Sequence, residues 1–308
     1  MDTMRGVLSP VITPFRPDLA VDTAALAAQC RWLLANDVGL AVFGTNSEGN
    51  SIAAGERAEV IAALVAAGID PGRMMPGTGG CALDDVVQLT RSAVRAGAGG
   101  VLVLPPFYYK GVSDDGLFAF FSEVVERVGE AGLRLYLYHI PPVAQVPIPL
   151  AVIERLLDRY GSVIAGIKDS GGQWEHTAAL IERFAARGFA VFAGSETFLL
   201  QTLRAGGVGC ISATANINPA AIAALYRHAE DADAEERQAA LDRVRKVFAA
   251  FPMIAAMKSA MAEATGHADW KRLRPPLVSL DAAQEAALRD AMQQAGFSIP
   301  IKAVLAVG

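Results

Sequence analysis

Short apolar runs alternate with longer amphipathic runs along most of the chain. The short ones cover 7–15, 39–45, 73–79, 99–107, 133–141, 163–169, 190–196 and 209–214. They read as continuous Val, Ile, Leu and Ala segments, the pattern of parallel strands buried on both faces. Helical patterns lie between them at 22–37, 55–68, 83–97 and 113–129, then at 149–159, 174–187, 197–205 and 218–229. Asp22 and Ser113 stand where helices start, and Gly68, Gly97 and Gly129 where they end. A short side-chain oxygen caps the first free N–H groups, and glycine takes the left-handed turn after the last ones.

Eight strand-then-helix units in series predict an α/β fold, a closed (β/α)8 TIM barrel. An open doubly wound sheet is the alternative, but it normally carries G-x-G-x-x-G after its first strand, and that motif is missing. Segments 231–250, 254–265 and 281–295 also read as helices, with a Pro-rich connector at 273–280. No stretch looks long enough to release an independent domain. The expected organisation is a barrel over 1–229 and a C-terminal helical extension over 230–308 packed on it.

Composition narrows the function classes. The 308 residues are 53% hydrophobic and 19% charged, which suits a thick core, an oligomer or both. A net charge of −5 with no Lys/Arg run excludes a nucleic-acid partner. Cys30, Cys81 and Cys210 are far apart and include no C-x-x-C, so neither a disulfide framework nor a zinc site is expected, and all three read as small core residues. The N-terminus lacks a signal-peptide layout, and no apolar run reaches the roughly 18 residues of a membrane span. The expectation is a soluble cytoplasmic protein with no membrane partner.

Barrel active sites lie at the C-terminal ends of the strands. Those ends carry "GTNSEG" (44–49), "PPFYYKG" (105–111), "YHIPP" (138–142), Lys168, "GSE" (194–196) and "SATAN" (212–216). Those ends hold no D-x-D or H-x-H pair and no carboxylate cluster, so no metal and no cofactor are expected. Of the four histidines only His139 falls at a strand end, and it reads as structural; His176, His228 and His267 lie elsewhere. Of the six lysines, Lys168 alone ends an apolar strand beside glycines. It could snorkel from the rim or pair with Asp169. Alternatively it is a desolvated amine, which sheds its proton more easily and attacks a carbonyl to form a Schiff base. The imine would stabilise a neighbouring carbanion without a metal. Tyr138, at the end of the adjacent predicted strand, could shuttle the proton, because neighbouring strands lie only about 5 Å apart.

"GTNSEG", "PPFYY", "YHIPP", "GIKDS" and "GGVGCISATANINP" together resemble the dihydrodipicolinate synthase/N-acetylneuraminate lyase superfamily of class I, pyruvate-handling aldolases, lyases and dehydratases. The resemblance covers nearly the whole chain. It implies that Lys168 forms the imine, that Tyr138 relays protons, and that Thr45 binds the keto-acid carboxylate and joins the relay. It further implies that Tyr109 (with Tyr108 as the neighbouring choice) reaches another subunit's site, and that the Ile211 carbonyl lies near the imine. Asn46, Val143 and Gly194 complete the expected substrate-binding set. The implied assembly is a homotetramer, a dimer of dimers, acting on a small 2-oxo acid.

Two departures bear on activity. Asn46 and Ser47 stand where the family commonly has a second hydroxyl and a glycine; an Asn amide can still donate to a carboxylate but cannot relay a proton. Val143 stands where true dihydrodipicolinate synthases place an arginine, so the bidentate carboxylate clamp is lost. The expected function is a class I lyase that cleaves or condenses a 2-oxo acid through Lys168. Its alternatives are a 2-keto-3-deoxy sugar acid dehydratase, a 4-hydroxy-tetrahydrodipicolinate synthase and a non-catalytic keto-acid-binding regulatory protein.

Overall fold

The computed structural model describes residues 3–300. Seven parallel strands form one curled sheet: β1 (Gly6–Ser9), β2 (Gly39–Leu40), β3 (Val101–Val103), β4 (Leu135–His139), β5 (Ile164–Asp169), β6 (Ala190–Ala193) and β7 (Gly209–Ile211). Their order is β2-β1-β7-β6-β5-β4-β3. All seven are buried along their whole length.

Eight strands were expected, and the third, 73–79, does not form one. It is an extended segment that touches both sheet edges through single parallel bridges, Leu40 with Met74 and Gly77 with Leu102. Met75 and Gly77 donate to the Leu40 and Val42 carbonyls on one side, each at 2.7 Å, and Thr78 donates to Leu102 at 3.0 Å on the other. In a parallel ladder alternate residues donate to the same neighbour. Position 76 should therefore donate towards β3, but it is proline and has no N–H. One missing donor interrupts the ladder where the sequence reads as a strand.

Twelve helices complete the described chain: α1 (Thr23–Ala35), α2 (Ala54–Ala66), α3 (Leu83–Arg95), α4 (Asp114–Val128), α5 (Pro141–Ala144), α6 (Leu150–Tyr160), α7 (Trp174–Phe184), α8 (Leu199–Arg204), α9 (Pro219–Arg227), α10 (Ala234–Ala249), α11 (Met253–Thr265) and α12 (Ala282–Gln294). Only the short α5, opened by two prolines, has no counterpart in the sequence pattern. The expected caps form: Asp22 accepts from the Ala25 N–H, Ser113 accepts from the Gly116 N–H, and Gly129 adopts the left-handed conformation after α4.

Strand alternation sorts the core into layers. Inward residues, among them Leu8, Met75, Leu102, Tyr136, Tyr138, Phe192 and Ile211, pack together inside the curl. Outward residues pack against the helices in a larger cluster. A third cluster joins Ile12, Ala213 and Ile217 to Val244, Phe248, Met257 and Trp270, which seats α10 and α11 against the strand ends. Cys30 and Cys210 are buried as expected; Cys81 is exposed, in the loop before α3, so the reading of all three as core residues is corrected. No single helix among the described residues is long and apolar enough to cross a membrane.

Candidate active site

Tyr138 and Lys168 are register partners on β4 and β5, so both side chains point into the curl at the C-terminal end of the sheet. The Lys168 amine donates to the Tyr138 hydroxyl at 3.2 Å and lies 4.3 Å from the ring centroid. The same hydroxyl is 3.1 Å from Thr45 Oγ1. Lysine, phenol and threonine thus form one continuous hydrogen-bonded row. Lys168 is 2% exposed and forms no ion pair among the described residues. The snorkelling and Asp169-paired readings both fail on this geometry.

Asp169 is accounted for one step along the strand. It is the register partner of His139, and both point away from the curl towards α7. Its carboxylate accepts from Thr177 Oγ1 at 2.7 Å and from the Gly171 N–H at 2.9 Å, and lies 2.9 Å from His176 Nδ1. Burial alone would raise the Asp169 pKa, but these hydrogen bonds outweigh it and hold the group below its ordinary value. His139 stacks on His176 with 4.3 Å between centroids. Burial, against the opposing pull of Asp169, lowers its pKa to about 4. His139 is structural as expected; His176, read from the sequence as remote from the strand ends, in fact belongs to this cluster.

His139, Asp169 and His176 bring ligand-type atoms within 4.8 Å of one another. The donor chemistry does not suit a cation. His139 Nδ1 accepts the Ile148 N–H at 3.1 Å, so a neutral His139 carries its proton on Nε2 and has no second lone pair to offer. The other two groups bond each other. The cluster is a hydrogen-bonded buttress behind β5.

The cavity over Lys168 has a volume of about 280 Å³ and is lined by Thr45, Asn46, Tyr138, Ile140, Val143, Lys168, Ser170, Gly194, Ser195, Phe198, Ala213 and Arg245, among others. Six of the expected residues therefore meet in one place: Lys168, Tyr138, Thr45, Asn46, Val143 and Gly194. The other two stand apart from the lining residues. Ile211, expected to act through its backbone carbonyl, has its side chain fully buried among the inward core residues. Tyr109 is 71% exposed and packs edge-on against Tyr108, with 5.3 Å between centroids.

The Thr45 loop is held from below. The Thr13 hydroxyl donates to the Ser47 carbonyl at 2.7 Å, and Ser47 is itself buried, so this position is a packing site and not part of the cavity wall. Glu48, in the left-handed region at φ 57°, sends its carboxylate to the Lys258 amine on α11 at 2.6 Å. Lys258, which reads in the sequence as an ordinary helical lysine, is as deeply buried as Lys168. Burial lowers its pKa to about 8 against the raising influence of Glu48.

Arg245 was missed by sequence reasoning. It lies on α10, a helix rich in charged residues, yet it borders the cavity. Its Nη1 is 3.3 Å from a Glu196 carboxylate oxygen and 3.4 Å from Ser212 Oγ. Glu196 is buried and also accepts from the Ser212 and Thr214 hydroxyls.

Comparison with known proteins agrees with this geometry. The profile of the dihydrodipicolinate synthetase family matches residues 3–295. An uncharacterized DapA-like lyase of Chloroflexus aurantiacus is 33% identical over 295 residues, 94% of this chain and 96% of that protein. The crystal structure of dihydrodipicolinate synthase from Agrobacterium tumefaciens superposes with a TM-score of 0.86 at 32% identity, covering 94% of this chain and 99% of that one. YagE, an E. coli prophage protein of the dihydrodipicolinic acid synthase family solved in complex with pyruvate, gives a TM-score of 0.86 at 28% identity over 95% and 99% of the two chains. The chain belongs to the dihydrodipicolinate synthetase family and is a lyase.

Proposed function

We propose that this lyase is a class I aldolase in which Lys168 forms a Schiff base with the C2 carbonyl of a 2-oxo acid and releases pyruvate. The observation that carries the reading is the hydrogen-bonded row Lys168–Tyr138–Thr45, buried at the lysine and the phenol, with no carboxylate paired to the amine. The unprotonated amine adds to C2 and water leaves, giving an iminium. In the cleavage direction the C4 hydroxyl loses its proton and becomes the carbonyl of a departing aldehyde as the C3–C4 bond breaks, and the electron pair of that bond moves into the C2–C3 enamine. C3 is then protonated, and water releases pyruvate from the lysine. Tyr138 moves the protons at C2, and Thr45 and Asn46 receive the C1 carboxylate.

On this reading the extended segment 74–78 completes an eight-stranded (β/α)8 barrel over 1–229, and the C-terminal helices from 230 onward form its extension. The exposed Tyr108–Tyr109 pair serves a second copy of the chain, in a homotetramer in which Tyr109 reaches the neighbouring cavity. Val143, with no charge to hold a second carboxylate at that wall, weighs against synthase activity towards aspartate semialdehyde.

The test is incubation with pyruvate and sodium borohydride, followed by mass analysis. The reduced adduct is expected on Lys168 in the native protein and absent in Lys168→Ala. A native protein that remains unmodified overturns the proposal.

A further inference from the structure

From the position of Arg245 we infer a second anion-binding subsite, which selects 2-oxo acids whose tail ends in a carboxylate; this deepens the Schiff-base reading and rests on it. Arg245 reaches the cavity from α10, outside the strand-end loops that supply the reacting groups. A guanidinium has five N–H donors. Only Nη1 is engaged here, through two long contacts to Glu196 and Ser212 at 3.3 and 3.4 Å. Nε and Nη2 have no partner among the described residues. The side chain keeps 22% of its surface exposed.

Glu196 is the counter-ion of Arg245 but engages it through Nη1 alone. Its carboxylate is already held by the Ser212 and Thr214 hydroxyls. Its backbone carbonyl accepts from Gln238 at 3.0 Å, which fixes the acid in the wall. The other carboxylate near the cavity, Asp169, is directed to His176 and Thr177 on the far side of β5. The open part of the cavity therefore presents an iminium-forming lysine and a partly free guanidinium, with no carboxylate aimed between them. Val143, which also lines the cavity, adds only an apolar surface. The substrate's C1 carboxylate is assigned to Thr45 and Asn46, so a second carboxylate at the tail is the group that complements the remaining donors. A charge-assisted, forked contact of this kind discriminates strongly against an uncharged tail. The cavity, about 280 Å³, suits a small acid over an extended sugar chain.

Two substrate pairs test the subsite: 4-hydroxy-2-oxopentanedioate against 4-hydroxy-2-oxopentanoate, and the six-carbon equivalents. The members of each pair differ only at the tail. The reading is the ratio of kcat/KM within a pair, which cancels any loss of folded enzyme. In the native protein the diacid is expected to win in at least one pair. Arg245→Gln should lower that ratio by about 10- to 100-fold, mainly through KM for the diacid, and Arg245→Lys should restore part of it. A native preference for the uncharged tail in both pairs, or a ratio that Arg245→Gln leaves unchanged, overturns the subsite. Either result is distinct from failure of the Schiff-base reading, which the pyruvate–borohydride adduct on the native protein decides separately.

Discussion

Glu48 and Lys258 lie 210 positions apart and meet at 2.6 Å with no solvent exposure on either side chain. Glu48 follows the loop that presents Thr45 and Asn46, and Lys258 sits on α11. Glu48 also accepts the Arg274 N–H at 3.0 Å, and Lys258 lies 4.6 Å from the centre of the Phe15 ring. The C-terminal helices thereby hold the Thr45 loop from outside the sheet. Removing one member of a buried pair leaves an uncompensated charge, which costs about 3–5 kcal/mol. Lys258→Met is expected to destabilise by that amount in urea unfolding, and the Lys258→Met/Glu48→Gln double variant to recover most of it. A double variant no more stable than Lys258→Met would show that the pair is not the source of the loss.

Tyr138 touches both Lys168 and Thr45 through a single oxygen. Tyr138→Phe keeps the ring that the amine faces and removes only the relay. It should lower kcat by about 10²–10⁴-fold with much smaller change in KM, the usual range for a general acid–base group. A near-native kcat would assign proton movement to another group.

His139 gives the fold a specific sensitivity to acid. Its folded pKa is about 4, against an ordinary value near 6.5. Between those two values the unfolded chain binds a proton that the folded chain refuses. Stability from this residue is therefore complete above about pH 6.5 and declines as pH falls towards 4, by at most about 3 kcal/mol. Protonation at Nδ1 would also break the bond from the Ile148 N–H. His139→Asn should flatten this part of the stability profile; parallel profiles for the two proteins would rule out His139 as the cause.

Much of this arrangement was legible in the sequence because it is local. Period-two alternation on one strand puts Lys168 inward and Asp169 outward, and register repeats the pattern with Tyr138 and His139 next door. Capping residues marked α1 and α4 for the same reason. Features that depend on distant segments were not legible. Nothing near Pro76 shows that the donor it lacks is the one facing β3. The charged sequence of α10 does not reveal that Arg245 faces a cavity, and Lys258 gives no sign of Glu48.

Gly194 tests how closely the β5 and β6 ends must approach. Its N–H donates to the Asp169 carbonyl at 2.7 Å. A Cβ at this position would lie 2.1 Å from Ser170 Oγ and 2.7 Å from the Asp169 carbonyl oxygen. The hydroxyl can rotate away, but the carbonyl belongs to the residue after Lys168 and can yield only by moving the strand end. Gly194→Ala should therefore cost about 1–3 kcal/mol of stability through overpacking. It should also slow borohydride trapping of pyruvate, because small displacements at a reacting group carry large rate penalties. Stability loss with unchanged trapping would mean that β6 gives way while Lys168 stays in place. Native values for both would show that the two strand ends can separate freely, and that glycine is not required at the cavity wall.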